Sequence, residues 1–91
     1  MTKEMTVEGI KELLFYGGPR AELRQTLVHR PDNAASIQLL YQLAIRHGVI
    51  SPRAARDVLP TLPQDAGTAE ARTLLESVLA KGDFLAVRVV R

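Results

Sequence analysis

Two stretches of the chain, residues 31–48 and residues 65–82, share one arrangement of apolar side chains at an offset of 34 residues. Each has apolar residues spaced three and four apart, as on one face of an amphipathic helix, and each ends at a glycine. The matched pairs are Ile37 with Ala71, Leu40 with Leu74, Tyr41 with Leu75, Ala44 with Val78, and Gly48 with Gly82. A single helical hairpin cannot bury its apolar face alone, so the offset predicts stacked helical units.

Residues 6–30 predict a first, shorter pair of helices. Apolar residues keep helical spacing after Thr6, which is a suitable N-cap, and this helix should stop at Gly17 and Gly18. Pro19 suits the first turn of the second helix. The segment Gly-Gly-Pro-Arg is therefore predicted to be a helix–helix turn, because it lacks the preceding strand and the Gly-Lys-Ser/Thr ending of a phosphate-binding loop.

Three further helices follow. Two occupy the matched stretches, and their expected N-caps carry short polar side chains: Asp32 or Asn33, and Thr68. Between them, Ser51 followed by Pro52 is typical of a helix start, so a helix should run from about Pro52 to Leu59. The last residues, 83–91, fit a sixth helix capped by Asp83, as the repeat suggests, or a short strand, as their valines favour.

The two stretches resemble the tetratricopeptide repeat, whose period is 34 and whose first helix follows W-x2-L-G-x2-Y. The corresponding residues are Ile37-x2-Leu40-Tyr41-x2-Ala44 and Ala71-x2-Leu74-Leu75-x2-Val78. The later A-x3-F element has counterparts in Ala54-x3-Val58 and Ala86-x3-Val90. The chain departs from the family where Tyr41 and Leu75 replace the small glycine, a change that would push paired helices apart.

The resemblance implies an all-α fold, in which antiparallel helical hairpins stack as a short tetratricopeptide-like array. One small helical domain would span residues 1–91, with a degenerate hairpin at 6–30 and repeats at 31–64 and 65–91. The alternative is a small helical bundle without repeats, in which the 34-residue offset is a coincidence of periodic leucines.

The residue inventory argues against an enzyme and predicts neither a cofactor nor a bound metal. There is no cysteine, which excludes disulfides, thiolate catalysis and Cys-based zinc sites. His29 and His47 have no metal-ligand spacing; both come near expected helix C-termini, where they can bond the last carbonyls. No apolar run is long enough for a signal peptide or a membrane span, so a cytoplasmic protein without membrane contact is expected.

By resemblance, the chain is expected to be a protein-binding adaptor or small chaperone that holds a peptide or partner helix in a groove. The first helix of each repeat would line that groove with the partner-binding residues Gln38, Gln42, Ile45, Arg72, Glu76 and Leu79, next to Ala35 and Ala69. The glutamine amides would bond a partner's backbone, and Arg72 with Glu76 would select for charge. The alternative is that these side chains simply face solvent.

The C-terminal segment is expected to form a second contact region. Residues 84–90 read Phe-Leu-Ala-Val-Arg-Val-Val and carry a single charge. As a strand, they would alternate between two sides: Phe84, Ala86 and Arg88 on one, and Leu85, Val87 and Val89 on the other. A chain of 91 residues cannot hide all of these side chains. The residues predicted to bury against a second copy or a client protein are Phe84, Leu85, Val87 and Val89.

The alternative function is that of a DNA-binding regulator with a helix-turn-helix. The helix at 52–59 would present Arg53 and Arg56 to phosphates or guanine edges. Asp57 on the same helix and a net charge of only +2 weaken this hypothesis. The sequence therefore favours a protein partner over nucleic acid.

Overall fold

A computed structural model describes residues 9–91, in which an antiparallel sheet of four strands is covered on one face by three helices. The elements in chain order are β1 Glu12–Gly17, β2 Glu22–Val28, α1 Ala34–His47, β3 Val49–Ile50, α2 Pro52–Val58, α3 Ala69–Lys81 and β4 Leu85–Val90. Short 3₁₀ turns lie before α1, after α2 and before α3. The strand order is β2-β1-β4-β3, and each neighbouring pair is antiparallel.

The predicted helical hairpin at residues 6–30 is wrong, because residues 12–28 form the β-hairpin of β1 and β2. β1 reads Glu-Leu-Leu-Phe-Tyr-Gly, and a short apolar run of this kind fits a strand as well as a helix. Its aromatic residues favour the strand. The Gly-Gly-Pro-Arg segment leads into the turn of this hairpin, where Gly18 has a φ of 81°. The predicted N-cap Thr6 lies outside the described residues.

The three later helices are confirmed. α1 and α3 are each followed by a glycine with positive φ, Gly48 and Gly82, which closes the helix. α2 begins after Ser51, whose hydroxyl accepts a hydrogen bond from the backbone N–H of Ala54 at 3.2 Å. Asn33 and Thr68 occupy the N-cap positions of α1 and α3, as predicted, but neither side chain makes a capping hydrogen bond to its helix.

The C-terminal segment contains a strand, β4, where the repeat suggested a sixth helix. β4 pairs with β1 on one side and with β3 on the other. Its side chains alternate as a strand requires: Leu85, Val87 and Val89 pack in or against the core, and Ala86 and Arg88 are exposed. Valine is well suited to this position because β-branched side chains fit a pleated sheet.

These strands contradict the all-α fold, the helical bundle and the tetratricopeptide-like array. The stretches 31–64 and 65–91 are not equivalent units, because α1 is followed by β3 and α2, whereas α3 is followed by β4. The 34-residue offset remains only as a shared burial pattern, formed by Ile37, Leu40 and Tyr41 in α1 and by Ala71, Leu74 and Leu75 in α3. Both helices bury these residues in one core with the sheet, so the offset does not mark a helical repeat.

The core lies between the helices and the inner face of the sheet. Sheet residues that enter it include Leu13, Phe15, Leu27, Ile50 and Leu85. Of the matched apolar residues on the expected helix faces, Leu40, Leu74 and Val78 are buried. Ala44 is only half-buried, because α1 turns the larger Leu43 inwards instead.

A buried serine joins α1 to the start of α3. The Ser36 hydroxyl donates to the carbonyl oxygen of Gly67 at 2.7 Å and accepts the backbone N–H of Ala71 at 3.2 Å. The first N–H groups of a helix have no partner within the helix, so Ser36 satisfies one of them across the core.

A second polar cluster ties the end of β2 to the same helices. The buried amide of Asn33 donates to the carbonyl oxygen of Val28 at 2.8 Å and to Glu70 Oε1 at 2.7 Å. Arg30 donates to Glu70 Oε2 at 2.7 Å and contacts Asp32 at 3.1 Å. The hydrogen bonds from Arg30 and Asn33 hold the pKa of Glu70 below its usual value.

Candidate functional site: the open face of the sheet

The face of the sheet turned away from the helices presents a largely apolar surface. Side chains alternate between faces along a strand, so the residues between the buried ones share this outer face. Its rows, read across β2, β1 and β4, are Val28-Glu12-Val90, Thr26-Leu14-Arg88 and Leu23-Tyr16-Ala86, and Val49 of β3 extends the last row. We call these ten residues the open face.

Large apolar side chains are exposed on and beside the open face. Leu23 and Val28, both on the edge strand β2, are 54% and 52% exposed. Half-buried side chains lie between and beside them: Leu14, Tyr16 and Val90. Phe84, directly before β4, is 62% exposed and borders this surface. Three of the five exposed large hydrophobic residues within 9–91 therefore belong to the open face or its border.

Two charges of opposite sign lie within the open face. Glu12 lies opposite Val90 and Arg88 lies opposite Leu14, so the two charged residues are diagonal neighbours on β1 and β4. Neither makes a salt bridge with another residue of the described range. The open face therefore offers apolar area together with a carboxylate and a guanidinium that can bond a partner.

The groove residues predicted from the sequence lie on the helix layer. Four of them are exposed there: Gln38 and Ile45 on α1, and Glu76 and Leu79 on α3. Gln42 lines a depression of about 110 Å³ between α1 and α2. Arg72 lines a different depression, of about 370 Å³, and its guanidinium donates to the carbonyl oxygens of Leu62 and Pro63. The structure does not bring Gln42 and Arg72 into one groove.

Of the four contact residues predicted in the C-terminal segment, Phe84 is exposed. Leu85 is buried in the core, and Val87 and Val89 pack against it. The outward positions of β4 belong to other residues, including Arg88. The exposed residues on the outer side of this segment are therefore Phe84, Ala86 and Arg88.

Most of the open face is not predicted from the sequence, because the residues of β1 and β2 are expected to form helices. A usable signal exists in the aromatic pair Phe15 and Tyr16 before the Gly-Gly-Pro turn and the run Thr26–Val28 after it. Aromatic and β-branched residues on both sides of such a turn are typical of a β-hairpin.

The helix proposed for DNA binding is present as α2, and it exposes Arg53, Arg56 and Asp57. The turn before it contains β3, which is part of the sheet. A depression of about 310 Å³ lies beside this helix and is lined by His47, Ser51, Arg53 and Asp57. DNA binding through α2 stays a prediction.

Among residues 9–91, no three His, Asp or Glu side chains come together in a way that could hold a metal ion. His29 is not at a helix end, as the sequence suggested; it follows β2, and its Nδ1 lies 2.8 Å from the carbonyl oxygen of Ile10. His47 is the last residue of α1, as expected. None of the helices in the described part of the chain is long and apolar enough to cross a membrane. The expected cytoplasmic location stays a prediction.

No protein-family model matches this chain, and no curated protein or solved structure matches it either.

Proposed function

We propose that this chain is a protein-binding module, an adaptor or small chaperone, and that it binds its partner through the open face of the sheet. The proposal depends on the clustering of three exposed apolar side chains, Leu23, Val28 and Phe84, on or beside one face of the sheet. Leu14 and Tyr16 lie half-buried on β1, the strand between β2 and β4. Exposed apolar side chains that cluster on one surface often mark an interaction site, whereas scattered single ones do not.

The composition of the open face is that of a protein interface. Interfaces combine an apolar centre with polar groups that set the orientation of the partner. Here Leu14 holds the central position, and Glu12 and Arg88 provide one acceptor and one donor beside it. Charged groups placed in this way contribute more to specificity than to affinity.

The proposal is tested by a pair of matched variants. The first, Leu14→Thr/Leu23→Thr/Val28→Thr, removes apolar area from the open face and keeps the strand preference, because threonine is β-branched. The control, Ile45→Gln/Leu79→Gln, removes exposed apolar area from α1 and α3 and keeps good helix formers.

Each tagged chain is purified from its native host after cross-linking, and the polypeptides that co-purify with it are quantified. An untagged copy of the same chain counts as one of these polypeptides. We expect the unmodified chain and the control to retain one partner at constant stoichiometry. The triple variant should lose about 90% of it, a tenfold effect on association. Circular dichroism verifies that all three chains keep their fold.

Two results would overturn the proposal. Loss of the partner in the control, with retention in the triple variant, would place the binding surface on the helix layer. Salt-sensitive binding to duplex DNA that disappears in Arg53→Ala/Arg56→Ala, with no polypeptide retained, would support the DNA-binding alternative.

A further inference from the structure

We infer that the partner on the open face is a second copy of this chain, held face to face by a two-fold axis. This inference rests on the proposed function and names its partner. It is carried by the position of the two charges that lie within a largely apolar surface.

Four residues of the open face, in its first two rows on β1 and β4, form a rectangle. Glu12 and Leu14 lie on β1, and opposite them on β4 lie Val90 and Arg88. The two charged residues therefore occupy one diagonal, and the two apolar residues occupy the other. Such diagonal neighbours lie about 7–8 Å apart, so a long side chain on a second molecule can reach either one.

A two-fold axis along the Leu14–Val90 diagonal makes this surface complementary to itself. The rotation brings Leu14 over Leu14 and Val90 over Val90 of the second copy. It also exchanges the charged corners, so that each Glu12 meets Arg88 of the other copy, and the ion pair forms twice. A symmetric dimer requires such self-complementarity, because both copies present the same patch.

The area of the face limits the size of the interface that two copies can form. Three strands about 4.8 Å apart and about six residues long cover a flat area of roughly 280 Å². A standard stable interface buries about 800 Å² per partner. Leu23, Val28 and Phe84 add area at the border. The interface is therefore smaller than the standard size, and we expect a weak and reversible dimer.

Charge reversal with a mixing step tests the dimer. Sedimentation velocity at low salt should show concentration-dependent dimerisation of the unmodified chain. Glu12→Arg and Arg88→Glu should each raise the dissociation constant about tenfold or more, since each places two like-charged pairs in the interface. Mixing the two variants should restore association, because in the mixed dimer both pairs again join opposite charges. An affinity tag on one variant identifies the mixed species.

The mixing step separates contacts between copies from contacts within one copy. Loss of a bond between Glu12 and Arg88 of the same chain would not be repaired by adding the other variant. Equal free energies of unfolding for the two variants, measured in dilute solution, show that the chains remain folded. Glu12→Gln and Arg88→Gln provide milder substitutions if a reversed charge disturbs the strand.

Several outcomes would overturn the inference. These are an unmodified chain that stays monomeric at millimolar concentration, a dimer that tolerates both charge reversals, and variants whose mixture does not associate. The proposed function and the self-association can fail separately. If the unmodified chain does not dimerise but retains a different polypeptide, and the triple variant of the open face does not retain it, the proposed function stands and only the self-association fails.

Discussion

The two faces of β1 differ in burial although both carry large apolar side chains. Leu13 and Phe15 are fully buried, whereas Leu14 between them and Tyr16 after them are half-buried. The helices pack on the first pair, and the open face carries the second. The inner residues of this strand therefore stabilise the fold, whereas the outer residues leave apolar area exposed, which the proposed function assigns to a partner.

The strongest test of this comparison substitutes adjacent residues on opposite faces. Leu13→Ala removes a fully buried side chain and should lower the free energy of unfolding by about 2–5 kcal/mol. Leu14→Ala, one residue away on the open face, should cost about 1 kcal/mol or less, because its side chain is already partly hydrated. Urea unfolding in dilute solution measures both. Equal losses would mean that the outer face is part of the folding core.

A smaller effect is expected from the serine that holds the helix layer over the inner face. Ser36→Ala leaves the backbone N–H of Ala71 and the carbonyl oxygen of Gly67 without their buried partner. The expected loss in unfolding free energy is about 1–3 kcal/mol. Ser77→Ala, at a half-buried position on α3, is the control and should have little effect. An unchanged free energy of unfolding in Ser36→Ala would show that the helix layer does not depend on this contact.

The smallest effect is expected at the surface cluster where β2 meets the helices, and it should depend on pH. The folded-state pKa of Glu70 is lowered by hydrogen bonds from Arg30 and Asn33. A lowered pKa stabilises the fold above the unfolded-state value of about 4.3, and this contribution is lost as the pH falls through the folded-state value. The stability advantage of the unmodified chain over Glu70→Gln should be present at neutral pH and should vanish in acid.

Urea unfolding of both chains across the acid range measures this difference. Glu76→Gln is the control, because this exposed carboxylate lies on the same helix and makes no salt bridge within residues 9–91. If the difference in unfolding free energy between the unmodified chain and Glu70→Gln stays constant from neutral pH into acid, the ionised carboxylate has no such role.

The helices were predictable to within one or two residues, and the candidate site was not. Ser51, Gly48 and Gly82 mark helix ends by local chemistry, and the structure places those ends where the sequence indicated. Phe84 was selected as a contact residue and is exposed beside the open face. Leu23 and Val28 were not selected, because the strand that exposes them was interpreted as a helix.

The sequence by itself determined where α1, α2 and α3 begin and end, since an α-helix bonds residues only four apart and its ends depend on neighbouring residues. The same local pattern also predicted helices within residues 12–28, which form strands. The tertiary structure alone decided β1 and β2, and it decided between the helix and the strand that the sequence allowed at residues 83–91. Glu12 lies between Val28 on one side and Val90, at the far end of the chain, on the other. A strand takes its hydrogen bonds from such remote segments, so a short apolar run does not reveal its partners, and hence does not reveal which of its faces will be covered.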